Sequence, residues 1–250
     1  MYGNEQMQYR MQIEWNEKTT EWFRRASAFT GFHRNLSEIL LRHLDGSRTI
    51  CDLGCGAGMI DFHLAEHMEE IACVDCVPEV INLLNREIHE KSIHNMKAYC
   101  ADIDQYSGLW DSCIMLFVGT ATKNIGKYLG LCKEKLLVVD RGGCRESLTA
   151  GEKARAYHSL LPMINDFLGS GIRCSMTTHT LEYGQPLSSL EEAYEYVTFY
   201  RKNPINMTVT DYIRENLVKT DHIEYPYYLP YQKNFGVVEI RKDENLHLLS

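Results

Sequence analysis

The chain has 250 residues, 44% of them hydrophobic, and a formal net charge of −8. That length and apolar content can bury one good core, and the acidic balance argues against a phosphate-binding surface spread over the whole protein. No apolar run approaches the roughly 20 residues that span a bilayer, and residues 1–25 are polar without a signal-peptide core, so the expectation is a cytoplasmic protein with no membrane partner.

Residues 1 to 45 read as a helical lead-in rich in aromatics: Tyr9, Trp15, Trp22, Phe23 and Phe29. Phe32, Leu36, Ile39 and Leu40 recur at helical spacing, and Asp45-Gly46 closes that helix. From Phe29 onward the aromatic and apolar side chains read as packing. Tyr9, Trp15 and Trp22 could instead cover the mouth of a site.

Next comes Ile50-Cys51-Asp52-Leu53-Gly54-Cys55-Gly56-Ala57-Gly58, an apolar run, an acid and alternate glycines. Ile60, Leu64 and Met68 then mark one helix face, so the order is strand, tight turn, helix. Gly54 and Gly56 can take positive φ or admit a ligand close to the backbone. The helix behind them offers unpaired N–H groups. A nucleotide-derived ligand would lie across that turn. A dinucleotide fingerprint needs a third small residue where Met59 stands, which puts a nicotinamide oxidoreductase last among the readings.

Ile71 to Asp75 reads as a buried second strand ending in an acid about 20 residues past the glycines, where a carboxylate can accept from both ribose hydroxyls. Pro78 starts a helix with Val80, Leu83, Leu84 and Ile88 as its stripe. Met96–Cys100 is a third strand, followed by Asp102 and Ile103; Asp102 also suits a helix N-cap. Ser112–Phe117 and Lys135–Asp140 are strands four and five.

This wording resembles the class I S-adenosylmethionine (SAM)-dependent methyltransferases, in which D-L-G-C-G-A-G corresponds to motif I. The resemblance covers residues 44–183 and the last strand. It implies an α/β fold: a seven-stranded, mostly parallel sheet of order 3-2-1-4-5-7-6 with helices on both faces. It also implies SAM as cofactor and S-adenosylhomocysteine (SAH) as product. The site it implies contains Asp52, Gly54, Cys55, Gly56, Asp75, Cys76, Asp102, Ile103 and Leu116. In the family the motif I acid and glycines hold the methionine end, and the acid and apolar pair after strand three meet the adenine.

Thr149 and Glu152 form a capping-box pattern before a helix with Leu160, Leu161, Ile164 and Phe167. Residues 172–183 read as strand six and Phe235–Arg241 as the last strand. Between them lie about fifty residues, far more than a hairpin loop needs. The expected organisation is one domain, 1–250, with a cofactor core at 46–184 and 235–241 and a helical cap at 185–234. The cap contains helices near 189–202 and 209–219, the first with a Ser189/Glu192 capping box, and many tyrosines. Tyr196 and Tyr200, one turn apart, are the candidate acceptor contacts, since a tyrosine presents apolar area and a polar tip.

Nine cysteines, an odd number, read as reduced thiols, with Cys51, Cys73, Cys100 and Cys113 in predicted buried strands. Cys73-x-x-Cys76 lacks the second pair of a zinc site. His63-x-x-Glu66-His67 spells a metalloprotease signature but falls beside the glycine turn, where a polar helix flank is the simpler reading. No metal is expected.

The expected activity is methyl transfer to a small-molecule acceptor, without nucleic-acid binding. Alternatives are a protein or RNA methyltransferase, or a SAM-binding regulatory protein without activity. His158, His179 and Asp140 are possible bases, none singled out. Leu116-Phe117-Val118-Gly119 replaces the N/D-P-P-Y/F of exocyclic-amine methyltransferases, which weakens that substrate class.

Overall fold

A computed structural model describes residues 17–118, 124–142, 160–200 and 207–249. The Thr149/Glu152 capping box, Tyr9, Trp15 and His158 lie outside them. The chain forms two compact units.

The described part of the larger unit is 33–118, 124–142, 160–181 and 233–249. After α1 (Glu17–Thr30) and α2 (Phe32–His43) come β1 (Thr49–Leu53), α3 (Asp61–Leu64), β2 (Glu70–Asp75), α4 (Pro78–Glu90), β3 (Met96–Cys100), β4 (Trp110–Leu116), α5 (Ile125–Gly130), β5 (Cys132–Arg141), α6 (Leu160–Gly169) and β6 (Ser175–Glu182). The final strand, β10 (Gln232–Arg241), follows three short strands described below. The sheet has seven strands in the order β3-β2-β1-β4-β5-β10-β6. The pairs from β3 through β5 are parallel and β10 runs antiparallel to β5. This is the expected order; the seventh strand is β10 because the connection before it contains strands of its own.

Both sheet faces are buried, as parallel strands require. Cys51 and Leu53, Ala72 and Val74, Cys113 and Met115, Leu136 and Val138, Val238 and Ile240 point into one cluster with α5 and α6. By the two-residue period, Ile50, Ile71, Ile114, Leu137 and Val237 face the other way, and they are equally buried. Helix α2 lies on that second face, where His43 Nδ1 is 3.1 Å from Glu239 Oε2.

Three local expectations change. The helix expected to carry Ile60, Leu64 and Met68 is a single turn, though all three are buried; a turn at 65–67 ends it before His67, so the two histidines do not share a helix. In α4 the core residue is Ile81 rather than Leu83. Cys100 is exposed, because β3 is an edge strand with no neighbour on one side.

In the smaller unit the described residues are 17–32, 182–200 and 207–232. It contains β7 (Gln185–Leu187), α7 (Leu190–Tyr200), α8 (Val209–Asn216), β8 (Val218–Lys219) and β9 (Tyr227–Leu229). The three strands form an antiparallel sheet of order β7-β9-β8. Leu187, Ala193, Val197, Ile213 and Leu229 make its core. The expected second helix thus stops at Asn216 and gives way to a strand. Helix α1 belongs to this unit by its sequence range: Trp22 Nε1 donates to Glu192 Oε1 at 2.9 Å, and Arg25 Nη1 donates to the same oxygen at 2.6 Å.

Candidate functional site

The glycine turn after β1 takes its shape from three left-handed residues: Gly54 (φ +89°), Gly56 (+53°) and Gly58 (+67°). A Cβ on Gly54 would sit 2.6 Å from Val118 Cγ2, and one on Gly58 would sit 2.5 Å from Leu84 Cδ1. Those two glycines are needed for packing. Gly56 differs: nothing lies within 4 Å of the Cβ position, so its backbone faces open space. The turn is hooked to β2, since Gly54 N and Cys55 N both donate to Val74 O at 2.7 and 3.1 Å.

Asp75, at the end of β2, closes the other side. Its Oδ2 accepts from Gly56 N and its Oδ1 from Val77 N, each at 3.0 Å. The carboxylate is half-buried and fixed in direction. Each oxygen keeps a further lone pair for a hydroxyl donor. Beyond β3, Asp102 is half-buried and its Oδ1 accepts from Asp104 N at 2.9 Å, closing a turn at 103–105 rather than capping a helix. Ile103 is buried within the core cluster. Cys55 is half-buried, Cys76 exposed, and Leu116 ends β4 half-buried. Asp52, Gly54, Cys55, Gly56, Asp75 and Cys76 therefore gather at the carboxyl ends of β1 and β2; Asp102 and Ile103 follow β3.

Beneath the turn sits a group the sequence reading did not assign. Asp61, the first residue of α3, is 0% exposed, and Asp52 is 1% exposed. Burial first, and then the facing Asp61 carboxylate and Asp75, raise Asp52 well above the usual carboxylate range. Burial likewise pushes Asp61 up to about 7, against the lowering effect of Asp52 and Cys73. Cys51, Cys113 and Cys132 are pushed up by burial too, so these core thiols stay protonated and inert.

At the carboxyl ends of β4 and β5 stands a second set. Phe117 has φ +57°, a strained value for a bulky residue. Lys233 Nζ lies 3.6 Å from the centroid of its ring. Lys233 is half-buried; burial and then Arg141 lower its amine to about 7, with Asp140 opposing. Asp140 is buried and Phe235 stacks on His179 at 5.6 Å. His33 is held neutral, lowered to about 3 by burial, Lys233 and His63. Nothing in the sequence marks Lys233: it is one more lysine at the start of a strand.

Tyr196 and Tyr200 lie in the smaller unit, 4.7 Å apart between ring centroids. Both rings meet Trp22, at 5.2 and 6.0 Å. Their position is explained by packing within that unit.

Residues 44–117 match the family model described as a methyltransferase domain. That segment holds the whole glycine turn, Asp75 and Asp102. The match supports the methyltransferase resemblance seen in the sequence. No curated protein matches the sequence. Among solved structures, the fold is similar to that of the YcgJ protein from Bacillus subtilis, with TM-score 0.53, 10% identity and coverage of 82% of this chain and 98% of that one. It is also similar to magnesium protoporphyrin IX methyltransferase (ChlM) from Synechocystis PCC 6803 with bound SAH, with TM-score 0.51, 14% identity and coverage of 90% and 88%. A SAM-dependent methyltransferase from Aquifex aeolicus gives TM-score 0.50, 15% identity and coverage of 82% and 88%. At these identities the likeness is one of fold.

The residues fit SAM. Gly56 leaves room for close approach, and Asp75 offers two oriented acceptors beside it. The chain therefore has a cradle at the turn and an aromatic and basic corner at the ends of β4 and β5. Among the described residues no His, Cys, Asp and Glu group has the arrangement of a metal site, and no helix is long and apolar enough to cross a membrane.

Proposed function

We propose that this chain is a SAM-dependent methyltransferase that acts on a small-molecule acceptor. The observation that carries the reading is charge. The chain is acidic, at −8, and many of its basic side chains are engaged by acids: Arg48 by Glu69, Lys97 by Glu70, Lys133 by Asp111, Arg25 by Glu192 and Arg214 by Asp211. A protein that grips a nucleic-acid backbone needs free cations along a track.

SAM supplies a methyl group on a cationic sulfonium. The protein aligns the acceptor and keeps it unprotonated. Gly54, Gly56, Asp75 and Asp102 orient the cofactor in this reading, with Asp52, Cys55, Cys76, Ile103 and Leu116 around it. Lys233 is the base candidate: a desolvated amine near neutrality can take a proton from an acceptor O–H, N–H or S–H. The Phe117 ring lies against it, and Phe235 meets that ring edge-on at 6.3 Å. Tyr196 and Tyr200 stay as acceptor contacts to be tested.

The test is transfer of tritiated methyl from SAM, with small-molecule extract, total RNA and protein offered in parallel. Label confined to the small-molecule fraction supports the proposal. Label in RNA or protein overturns it. SAM binding without transfer to any fraction supports the regulatory alternative.

A further inference from the structure

The buried carboxylates under the glycine turn present a hydrogen-bonding problem. Asp52 and Asp61 face each other in the interior. Among the described residues, Asp52 Oδ1 and both oxygens of Asp61 are buried with no partner at good hydrogen-bond geometry, although the two carboxyl groups and Cys73 lie close enough to act on one another's protonation. Asp52 lies opposite Cys73 in the β1–β2 register. The titratable groups that face the pair are Cys73 and Asp75 from β2 and Cys55 from the turn, all acids or thiols. No basic side chain is among them. Two unprotonated carboxylates in such a place repel each other and leave their lone pairs empty. A proton between them removes both costs, because a protonated acid becomes a donor to its neighbour.

The pair is also joined to the cofactor cradle. Asp75, which acts on Asp52 by charge, is the residue whose Oδ2 receives Gly56 N. Gly56 is the turn residue with open space at its Cβ. A cationic ligand laid on that turn adds the positive charge that the cluster lacks.

We propose that Asp52 and Asp61 hold one proton between them beneath the turn, and that a cationic group of the bound cofactor displaces it to solvent. The pair then goes from one negative charge to two as a positive charge arrives above it. No covalent bond changes. The inference rests on the cofactor reading and adds Asp61 to it as a residue that tunes affinity. Two cations are available: the α-ammonium, present in SAM and SAH, and the sulfonium, present in SAM alone. 5′-Methylthioadenosine carries neither.

Calorimetry in phosphate and in Tris, whose ionisation heats differ, counts the protons released on binding. SAM should release up to about one proton near neutral pH, and its affinity should rise with pH by up to about tenfold per unit at the steepest. Release by SAM and SAH but not methylthioadenosine assigns the effect to the ammonium; release by SAM alone assigns it to the sulfonium. In Asp61→Asn the amide donates to Asp52 permanently, so release should vanish and affinity should become flat with pH. If that variant does not fold, Asp61→Ser replaces it, and the wild-type proton count stands alone in any case. Binding without proton release, or release unchanged in the variant, overturns the inference only. Failure of SAM and SAH to bind at all overturns the cofactor assignment, and the inference with it.

Discussion

At the scale of single residues, the glycine turn separates packing from ligand approach. Gly54→Ala places a methyl against the stiff Val118 side chain and also requires a left-handed alanine. Gly56→Ala meets no atom within 4 Å, so its structural cost is only the left-handed strain, about 1–2 kcal/mol. The expected result is that Gly56→Ala folds with a slightly lower Tm but binds SAM markedly more weakly, whereas Gly54→Ala loses more stability. Thermal melts paired with calorimetry check this; normal SAM affinity in Gly56→Ala would show that nothing approaches that position. Asp61 gives a pH prediction. Its pKa is raised on folding, so the folded state favours the protonated acid; the stability this brings is present at low pH and is lost as pH rises toward about 7. Asp61→Asn should therefore gain on wild type as pH rises from about 4 to about 7, melting higher relative to wild type at pH near 8 than at pH near 4. Lys233 titrates near neutrality for the opposite reason, a cation disfavoured by burial and Arg141. Once an acceptor is known, Lys233→Met should lower kcat and remove the rise in rate through about pH 7, with SAM affinity unchanged. An unaltered pH profile would remove Lys233 as the base.

At the scale of elements, Glu192 shows how one side chain fastens two helices. Ser189 Oγ accepts from Glu192 N at 3.1 Å, the half of the capping box that the sequence announced. The other half is redirected. Glu192 Oε2 accepts from Ser188 N and Oγ, and Oε1 takes Trp22 Nε1 and Arg25 Nη1 from α1. Burial pushes the carboxyl up, but those donors outweigh it and hold it at about 2. Its stabilisation is therefore present above the ordinary glutamate range and lost as pH falls toward about 2. Glu192→Ala removes one of Arg25's two carboxylate partners, Glu21 remaining, and takes the acceptor from Trp22 Nε1, a loss on the order of 1–3 kcal/mol. Urea unfolding read at Trp22 fluorescence should show it; a change under about 0.5 kcal/mol would place the ion pair with weak surface bridges. The sequence could not show this tie, because Trp22 and Glu192 are 170 residues apart. Local patterns were legible for the same reason that this was not. Apolar period, cap residues and glycine turns act within a few residues. They located β1 to β5 and α4 closely, but not that α3 is a single turn or that Val218 and Lys219 pair as a strand.

At the scale of the molecule, the alternation of strands and helices was legible from local pattern, but the sheet order came only from the family resemblance that D-L-G-C-G-A-G, Asp75 and Asp102 carry. Asp61 and Lys233 were not legible. A buried acid on a helix and a lysine at a strand start acquire meaning only from neighbours brought in by the fold. Charge is the remaining whole-molecule property, and it separates the acceptor classes. A protein that neutralises several phosphates loses orders of magnitude in affinity between low and physiological salt. Here the net charge is −8, and several of the cations that could form such a track are paired with acids. Total RNA and duplex DNA should therefore bind weakly, with Kd above about 10 μM at physiological salt and a shallow salt dependence. Gel shifts and anisotropy across a salt series measure both. If tight binding appeared with a steep slope, the number of released counterions would give the number of phosphates held, and the small-molecule acceptor would have to be abandoned for RNA. If binding stays weak at low salt as well, the acidic surface itself excludes the nucleic acid, and the labelling test then separates a small-molecule acceptor from a protein.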